Sequence, residues 1–176
     1  MNINESCNLI LGELKAVVGG IDAQSAATLA ERISAARRIF VAGCGRSRLM
    51  AKAFAMRLMH LGLDAYVVGE TTTPALGGGD LLIICSGRGN NDTLCRFAAE
   101  AASAGGRCAA VTASPDSPIA RLAETVVTLP AKGSKQFGGS LFEQSLLIFF
   151  DALVIALADA AGTTHEEMAA RHANIE

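Results

Sequence analysis

Two short segments with the same layout constrain this chain most. Residues 38–42 (RIFVA) and 80–85 (DLLIIC) are compact apolar runs, and each leads at once into a glycine-rich turn. The first turn is Gly43-Cys44-Gly45-Arg46-Ser47 and the second is Ser86-Gly87-Arg88-Gly89-Asn90-Asn91. Helical spacing resumes after both, at about residues 47–61 and 91–104. Strands that are apolar on consecutive residues are buried on both faces, which is the mark of a parallel sheet covered by helices.

The rest of the chain supplies three more strands and the remaining cover. Residues 65–69, 107–112 and 125–129 read as strands, and residues 4–18 and 23–36 as a leading helical pair. A long helix is expected over residues 140–161, stopped by Gly162, with a short helix after it. Ser140 with Glu143, and Thr164 with Glu167, fit the capping pattern S/T-x-x-E. The expected fold class is α/β: a three-layer doubly wound sheet of five parallel strands in the flavodoxin-like order 2-1-3-4-5, with extra N-terminal and C-terminal helices. A single domain over residues 1–176 is expected, with leading helices at about 4–36, a core at about 37–130 and closing helices at about 140–173.

Composition narrows the function classes. The 176 residues are 51% hydrophobic with mean hydropathy +0.35, which excludes a disordered chain and leaves a membrane segment or extra apolar burial. The longest apolar stretch, residues 146–158, is broken by Asp151 and bounded by Glu143 and Asp159, short of the roughly 20 uncharged residues of a spanning helix. No membrane partner is therefore expected, and the apolar surplus should be buried within the sheet and between copies of the chain. Fifteen Lys and Arg against 17 Asp and Glu give a net charge of -2, which offers no electrostatic case for nucleic acid. Five cysteines without a C-x-x-C pair or a cluster with the three histidines argue against a metal and against a disulfide framework. No basic stretch precedes an apolar run at the N-terminus, so the expected location is cytoplasmic.

Any anion must then be met locally. In an open α/β sheet, ligands bind beyond the carboxyl ends of the strands where the winding reverses. With the order 2-1-3-4-5 that point lies between the first and third strands, the two that carry the glycine-rich turns. Each turn opens a helix whose free N–H groups and dipole favour an anion. Ser47, Ser86 and Asn91 add neutral donors, Arg46 and Arg88 charged ones, and one phosphate is the ligand fragment this layout suits. Each feature also has a purely structural reading, with glycines closing tight loops and polar residues capping helices. Dinucleotide binding is disfavoured because Arg48 stands at the third glycine position of G-x-G-x-x-G. Triphosphate binding lacks a P-loop lysine.

These same residues resemble the sugar isomerase (SIS) domain family. The resemblance rests on Gly45-Arg46-Ser47, on the segment AFAMRLMHLG from Ala53 to Gly62, on Val67-Val68-Gly69-Glu70-Thr71 with Thr73-Pro74, and on Ser86-Gly87-x-Gly89. It continues through Gly139-Ser140-Leu141-Phe142-Glu143 and the ending Ala170-Arg171-His172-Ala173-Asn174-Ile175-Glu176. It covers nearly the whole chain and implies a SIS fold acting on a sugar phosphate, without cofactor or metal. The branch it resembles moves the carbonyl of a 3-hexulose 6-phosphate to give fructose 6-phosphate, in formaldehyde fixation by the ribulose monophosphate route. It also implies a homotetramer, with 3-hexulose-6-phosphate synthase as its functional neighbour. Where the family usually shows S-G-S-G-x-T, this chain has Arg88 and Asn91 in place of a Ser and a Thr. Arg88 either gives phosphate a charge-assisted contact or points away.

The resemblance implies Glu143 as the base that shuttles a proton through a cis-enediol. By spacing alone the same residue reads as the last member of a capping box. His172 and His60 are candidates for the proton donor to the developing enediolate, with Arg46 as a charged alternative, and His60 fits best if it reaches a neighbouring subunit's site. Glu70 either binds a sugar hydroxyl or caps a loop. Gly45, Arg46, Ser47, Ser86, Gly87, Arg88, Gly89 and Asn91, with Glu70, form the expected binding set. The other readings are a non-catalytic SIS sensor and an isomerase for another sugar phosphate, such as arabinose 5-phosphate or sedoheptulose 7-phosphate.

Overall fold

The computed structural model describes residues 1–175; Glu176, the last residue of the terminal motif, lies outside the described residues. A helical pair, α1 (Ile3–Gly19) and α2 (Ala23–Ala35), is followed by β1 (Ile39–Gly43), α3 (Arg46–His60), β2 (Ala65–Val67) and β3 (Leu81–Cys85). Then come α4 (Asp92–Ser103), β4 (Arg107–Thr112), α5 (Pro118–Leu122), β5 (Thr125–Thr128), α6 (Ser140–Ala161) and α7 (His165–Ala170). Every strand pairing is parallel and the order is β2-β1-β3-β4-β5, as expected from the runs and turns.

Alternation along the strands divides the core in two. Ile39, Val41, Leu81, Ile83, Ala109 and Val111 face one side, where they pack with Leu29 and Ile33 of α2, Phe54 and Leu58 of α3, and Leu146 and Phe150 of α6. Phe40, Ala42, Leu82, Ile84, Cys108 and Ala110 face the other, against Leu94 and Ala98 of α4 and Ile119 of α5. Each large apolar side chain so buried stabilises the fold by about 1.5–3 kcal/mol. The rings of Phe54 and Phe150 stack at 3.9 Å between centroids and join α3 to α6.

Four local outcomes depart from the sequence reading. β2 stops at Val67 because Gly69 takes φ +88° and the Glu70 N–H bonds back to the Val67 carbonyl. α5 was not expected; it is one short turn started by Pro118 and capped by the Ser117 side chain, too brief to show a helical period. The Asn2–Glu5 capping box of α1 went unread, whereas the Thr164–Glu167 box of α7 forms as expected. The Ser140–Glu143 box does not form: Gly139 is the N-cap of α6 and Ser140 is already helical, its hydroxyl donating to the Phe137 carbonyl.

α6, with 22 residues, is long and apolar enough to cross a membrane by length and composition, but half of its most apolar window is buried within the protein. Its outer side exposes Ile148 and Ile155, and the adjacent α3 exposes Leu49, Met56 and Met59.

At the opposite edge of the sheet from the glycine-rich turns, Asp80 ties the start of β1 to the approach to β3. Its fully buried carboxylate takes Arg38 Nη2 at 2.6 Å, Arg37 Nε at 3.1 Å and the Gly77 N–H at 2.8 Å. Burial pushes its pKa upward, yet the hydrogen bonds from Arg38, Gly77 and Arg37 together outweigh it and hold the carboxyl at about 2, below the ordinary 3.8. A lowered carboxyl pKa contributes stability that is complete above pH 3.8 and lost as the pH falls toward 2, on the order of 2 kcal/mol here. The urea midpoint is therefore expected to fall between about pH 4 and pH 2. Asp80→Asn should be less stable at neutral pH and lack most of that acid-side loss, and an unaltered acid limb would contradict the assignment.

Candidate active site

β1 and β3 are neighbours, with Gly43 level with Cys85, so their two turns emerge side by side at the carboxyl edge. α3 leaves toward one face and α4 toward the other, which makes this the switch point of the sheet. Gly43 is required by closeness: a Cβ there would stand 3.0 Å from the Arg48 nitrogen and 3.1 Å from the Ser47 carbonyl carbon. Gly89 is required by conformation and space, since its φ is +64° and a Cβ would collide with the Ser117 hydroxyl. The second turn is closed from within. Ser86 Oγ accepts the Gly89 N–H at 3.1 Å, Asn91 Oδ1 caps α4 by accepting the Leu94 N–H at 3.0 Å, and the Gly89 carbonyl accepts the Ile119 N–H.

A cleft of about 730 Å³ opens above these turns. Cys44 and Ser47 line it from the first turn, Ser86, Gly87, Arg88, Asn90 and Asn91 from the second, and Ala113 and Ser114 from the end of β4. The connection from β5 to α6 closes the remaining side with Lys132, Gly138 and Gly139, followed by Phe142 and Glu143 in the first turn of α6. Cys85 lies at the base of the cleft, and complete burial pushes its thiol far upward, so it stays protonated at neutral pH.

Glu143 is the most unusual group in the cleft. Its side chain is 14% exposed, and Arg46 Nε approaches Oε2 to 3.2 Å as an ion pair without the alignment of a hydrogen bond. Among the described residues that buried oxygen accepts no hydrogen bond, so the ion pair with Arg46 is its one polar contact and it keeps the capacity to accept from a ligand. Gly139 makes room for it, since a Cβ there would stand 3.1 Å from Oε1. Arg46 also donates from Nη1 to Ser140 Oγ at 2.9 Å, so one guanidinium spans from the first turn to α6. With 56% of its side chain exposed, Arg46 is free to re-aim.

The structure thus brings together Glu143, Ser47, Ser86, Gly87, Arg88 and Asn91 around the cleft, with Arg46 joined to them through Glu143, while Gly45 and Gly89 shape the two turns without lining it. It does not bring the histidines or Glu70 to them. His60 is buried at the far end of α3, roughly 21 Å along the helix from Arg46. Its ring stacks on that of His172 at 5.0 Å, Arg57 Nη1 lies 3.4 Å from its Nδ1, and Arg171 donates to its carbonyl at 3.1 Å. Glu70, just past β2, pairs with Lys52 at 3.0 Å and Arg48 at 3.2 Å, and the Lys52 contact above all holds its carboxyl below the usual range. Sequence reasoning missed Lys132 and Ser114. The glycine- and lysine-rich run Ala131-Lys132-Gly133-Ser134-Lys135, placed between a strand and a helix, was the available signal for the first.

A doubly wound sheet with a polar, anion-suited cleft at its switch point, closed by the first turn of α6, defines an α/β protein that binds a small ligand at the carboxyl edge of its sheet. The model of the SIS domain matches residues 32–156, and the chain belongs to that family. Within it, a Mycobacterium gastri protein named 3-hexulose-6-phosphate isomerase is 42% identical, over 99% of this chain and 92% of its own. A Bacillus subtilis (strain 168) protein of the same name is 43% identical over the whole of both chains. A solved Methanococcus jannaschii structure, described as inferring a molecular function of 3-hexulose-6-phosphate isomerase, superposes with a TM-score of 0.90. It is 31% identical and the match covers 98% of this chain and 99% of that one.

The second turn has little tolerance. Gly89→Ala is expected to lower stability by about 2–3 kcal/mol, because the positive φ and the Ser117 collision act together. Chemical unfolding measures this, and a loss below about 0.5 kcal/mol would show that the turn relaxes freely.

Proposed function

We propose that this protein isomerises 3-hexulose 6-phosphate to fructose 6-phosphate, with Glu143 as the base. The carrying observation is the Glu143 carboxylate: mostly buried, ion-paired to Arg46 with no hydrogen bond on Oε2 among the described residues, and lining a cleft with two anion-suited turns. The Mycobacterium gastri and Bacillus subtilis relatives, which align over nearly the whole chain, bear the name of that reaction.

The chemistry follows from the substrate. Glu143 removes the proton on C2 of the 3-keto sugar, and the electron pair moves to form the C2–C3 double bond of a cis-enediol as the C3 oxygen gains a proton. Glu143 then returns its proton to C3, while the C2 hydroxyl loses one and becomes the new carbonyl. One carboxylate over both carbons serves both transfers, so no net proton is consumed. Arg46, beside the base, supplies positive charge to the enediolate oxygen. The phosphate lies against the Ser86-Gly87-Arg88-Gly89 turn, with Asn91, Gly45 and Ser47 at the two helix starts. Arg88 gives a charged contact where the family usually has a neutral hydroxyl. Glu70 braces its loop through Lys52 and Arg48 rather than touching sugar.

His172, exposed near the end of the chain, serves a neighbouring copy's cleft as proton donor, with the buried His60 ring stacked behind it. The exposed stripe Leu49, Met56 and Met59 on α3 supports this. A two-fold pairing about the middle of that stripe sets the His60 end of one α3 against the Arg46 end of the other. Burying these residues with Ile148 and Ile155 of α6 also accounts for the apolar surplus, in a homotetramer. A cytoplasmic setting fits five cysteines that form no disulfide. Formaldehyde fixation, downstream of 3-hexulose-6-phosphate synthase, is the pathway this reaction serves.

Purified protein given enzymatically made 3-hexulose 6-phosphate is expected to yield fructose 6-phosphate, and Glu143→Gln should lower kcat by at least about 10³-fold with little change in product binding. No turnover by the unaltered protein, beside an active control, would refute the reaction. Mixed oligomers of Glu143→Gln and His172→Ala chains should recover activity that neither has alone. Absence of recovery in verified mixed oligomers would return the histidines to a structural role.

A further inference from the structure

The connection from β5 to α6 is held by a residue from the other end of the chain. Glu13 of α1 accepts the Ser134 hydroxyl at 2.8 Å, the Lys135 N–H at 2.8 Å and the Gln136 amide at 2.9 Å. Ser134 Oγ in turn accepts the Gln136 N–H at 2.9 Å. The carboxyl of Glu13 is held below its usual range, chiefly by the Gln136 side chain. A carboxylate with three donors is a firm anchor, and what it anchors is one wall of the cleft, two residues beyond Lys132.

The charges facing the cleft do not cancel. Glu143 is matched by Arg46. Arg88 and Lys132 both line the cleft, and among the described residues neither has an ion-pair partner. Two cations on separate walls of one cleft repel each other, and the arrangement suits an anion of matching charge. A phosphate monoester carries about -1.5 to -2 at neutral pH, more than Arg88 alone neutralises. Ser86 Oγ closes the second turn and Asn91 Oδ1 caps α4 as acceptors, which leaves the hydroxyl and amide hydrogens for a ligand but supplies no positive charge.

We propose that Lys132 is a second cationic ligand of the substrate's phosphate, alongside Arg88, and that Glu13 is the positioning residue that anchors the loop carrying Lys132. The proposal rests on the reading of the cleft as a phosphosugar site. It assigns the chain a charge-based phosphate grip in place of one built mainly from hydroxyl donors, and it gives the N-terminal helix a part in substrate binding.

The test measures binding apart from turnover. Dissociation constants for inorganic phosphate and for fructose 6-phosphate are determined by titration calorimetry at several salt concentrations. The proteins compared are the unaltered one, Lys132→Met, Lys135→Met, Glu13→Ala, and the double variant Glu13→Ala/Lys132→Met. Lys132→Met should weaken both ligands about tenfold, as expected for loss of one charge-assisted contact, and make binding less salt-dependent. Its kcat should change less than about twofold while KM rises. Lys135→Met, on the same loop but outside the cleft, should bind as the unaltered protein does. Glu13→Ala should weaken phosphate when Lys132 is present and have no further effect once Lys132 is Met.

Unchanged phosphate affinity in Lys132→Met, or a loss confined to kcat, would overturn the phosphate contact. Additive losses in the double variant would overturn the positioning role of Glu13. Should Glu13→Ala fail to fold, Glu13→Gln, which keeps one acceptor oxygen, is the substitute and should show a smaller loss with the same dependence on Lys132. If Lys132→Met weakens phosphate while the unaltered protein does not turn over 3-hexulose 6-phosphate, the reaction fails and this proposal stands.

Discussion

Three central strands with no polar face govern this molecule. β1, β3 and β4 bury both of their faces, so helices have to cover the sheet on both sides, and the chain has to change sides somewhere. It does so between β1 and β3, where α3 departs to one face and α4 to the other. The gap left by that divergence is the cleft. The same hydrophobic demand that builds the core therefore opens the space for a ligand, and the helix starts on either side, that of α3 without a side-chain cap, give that space its preference for anions.

The chemistry of the cleft turns on a helix start that forgoes its usual cap. A Ser-x-x-Glu start would normally satisfy the first amides of α6 and consume the carboxylate in doing so. Here Gly139 takes the cap position, Ser140 turns its hydroxyl to Phe137 and Arg46, and Glu143 is left facing the cleft. With glycine in the cap position, forgoing a side-chain cap costs only a few tenths of a kcal/mol, and Glu143 Oε2 is left with an ion pair to Arg46 in place of a hydrogen bond. Such local inconsistency against a background of consistent choices is where a functional group is to be sought.

The sheet order, both turns and their meeting place were legible because each rests on a strong local signal: consecutive apolar residues, then glycine, then helical spacing. Glu143 was legible as a residue but not as a geometry, since the capping pattern and the open carboxylate share one spacing and only the backbone at Gly139 separates them. Lys132 was missed because its local signal, a glycine- and lysine-rich run between a strand and a helix, does not say where the residue ends up; that depends on how the β5–α6 connection folds back along the cleft. The histidines were read into the site on resemblance, and within one chain α3 carries His60 to the opposite edge of the sheet. β2 and α5 erred for smaller reasons, a turn at Gly69 and a helix shorter than its own period.

The tie from Glu13 to residues 134–136 has a consequence for how the protein comes into being. A contact spanning more than a hundred positions forms only after both segments have left the ribosome, and closing so long a loop is entropically late. Until then the β5–α6 connection has no anchor, and the cleft lacks one wall. An emerging chain can gather its sheet early, but the pocket becomes whole only when the first helix meets the β5–α6 connection. The N-terminal pair is thus the piece that finishes the molecule, although it is made first.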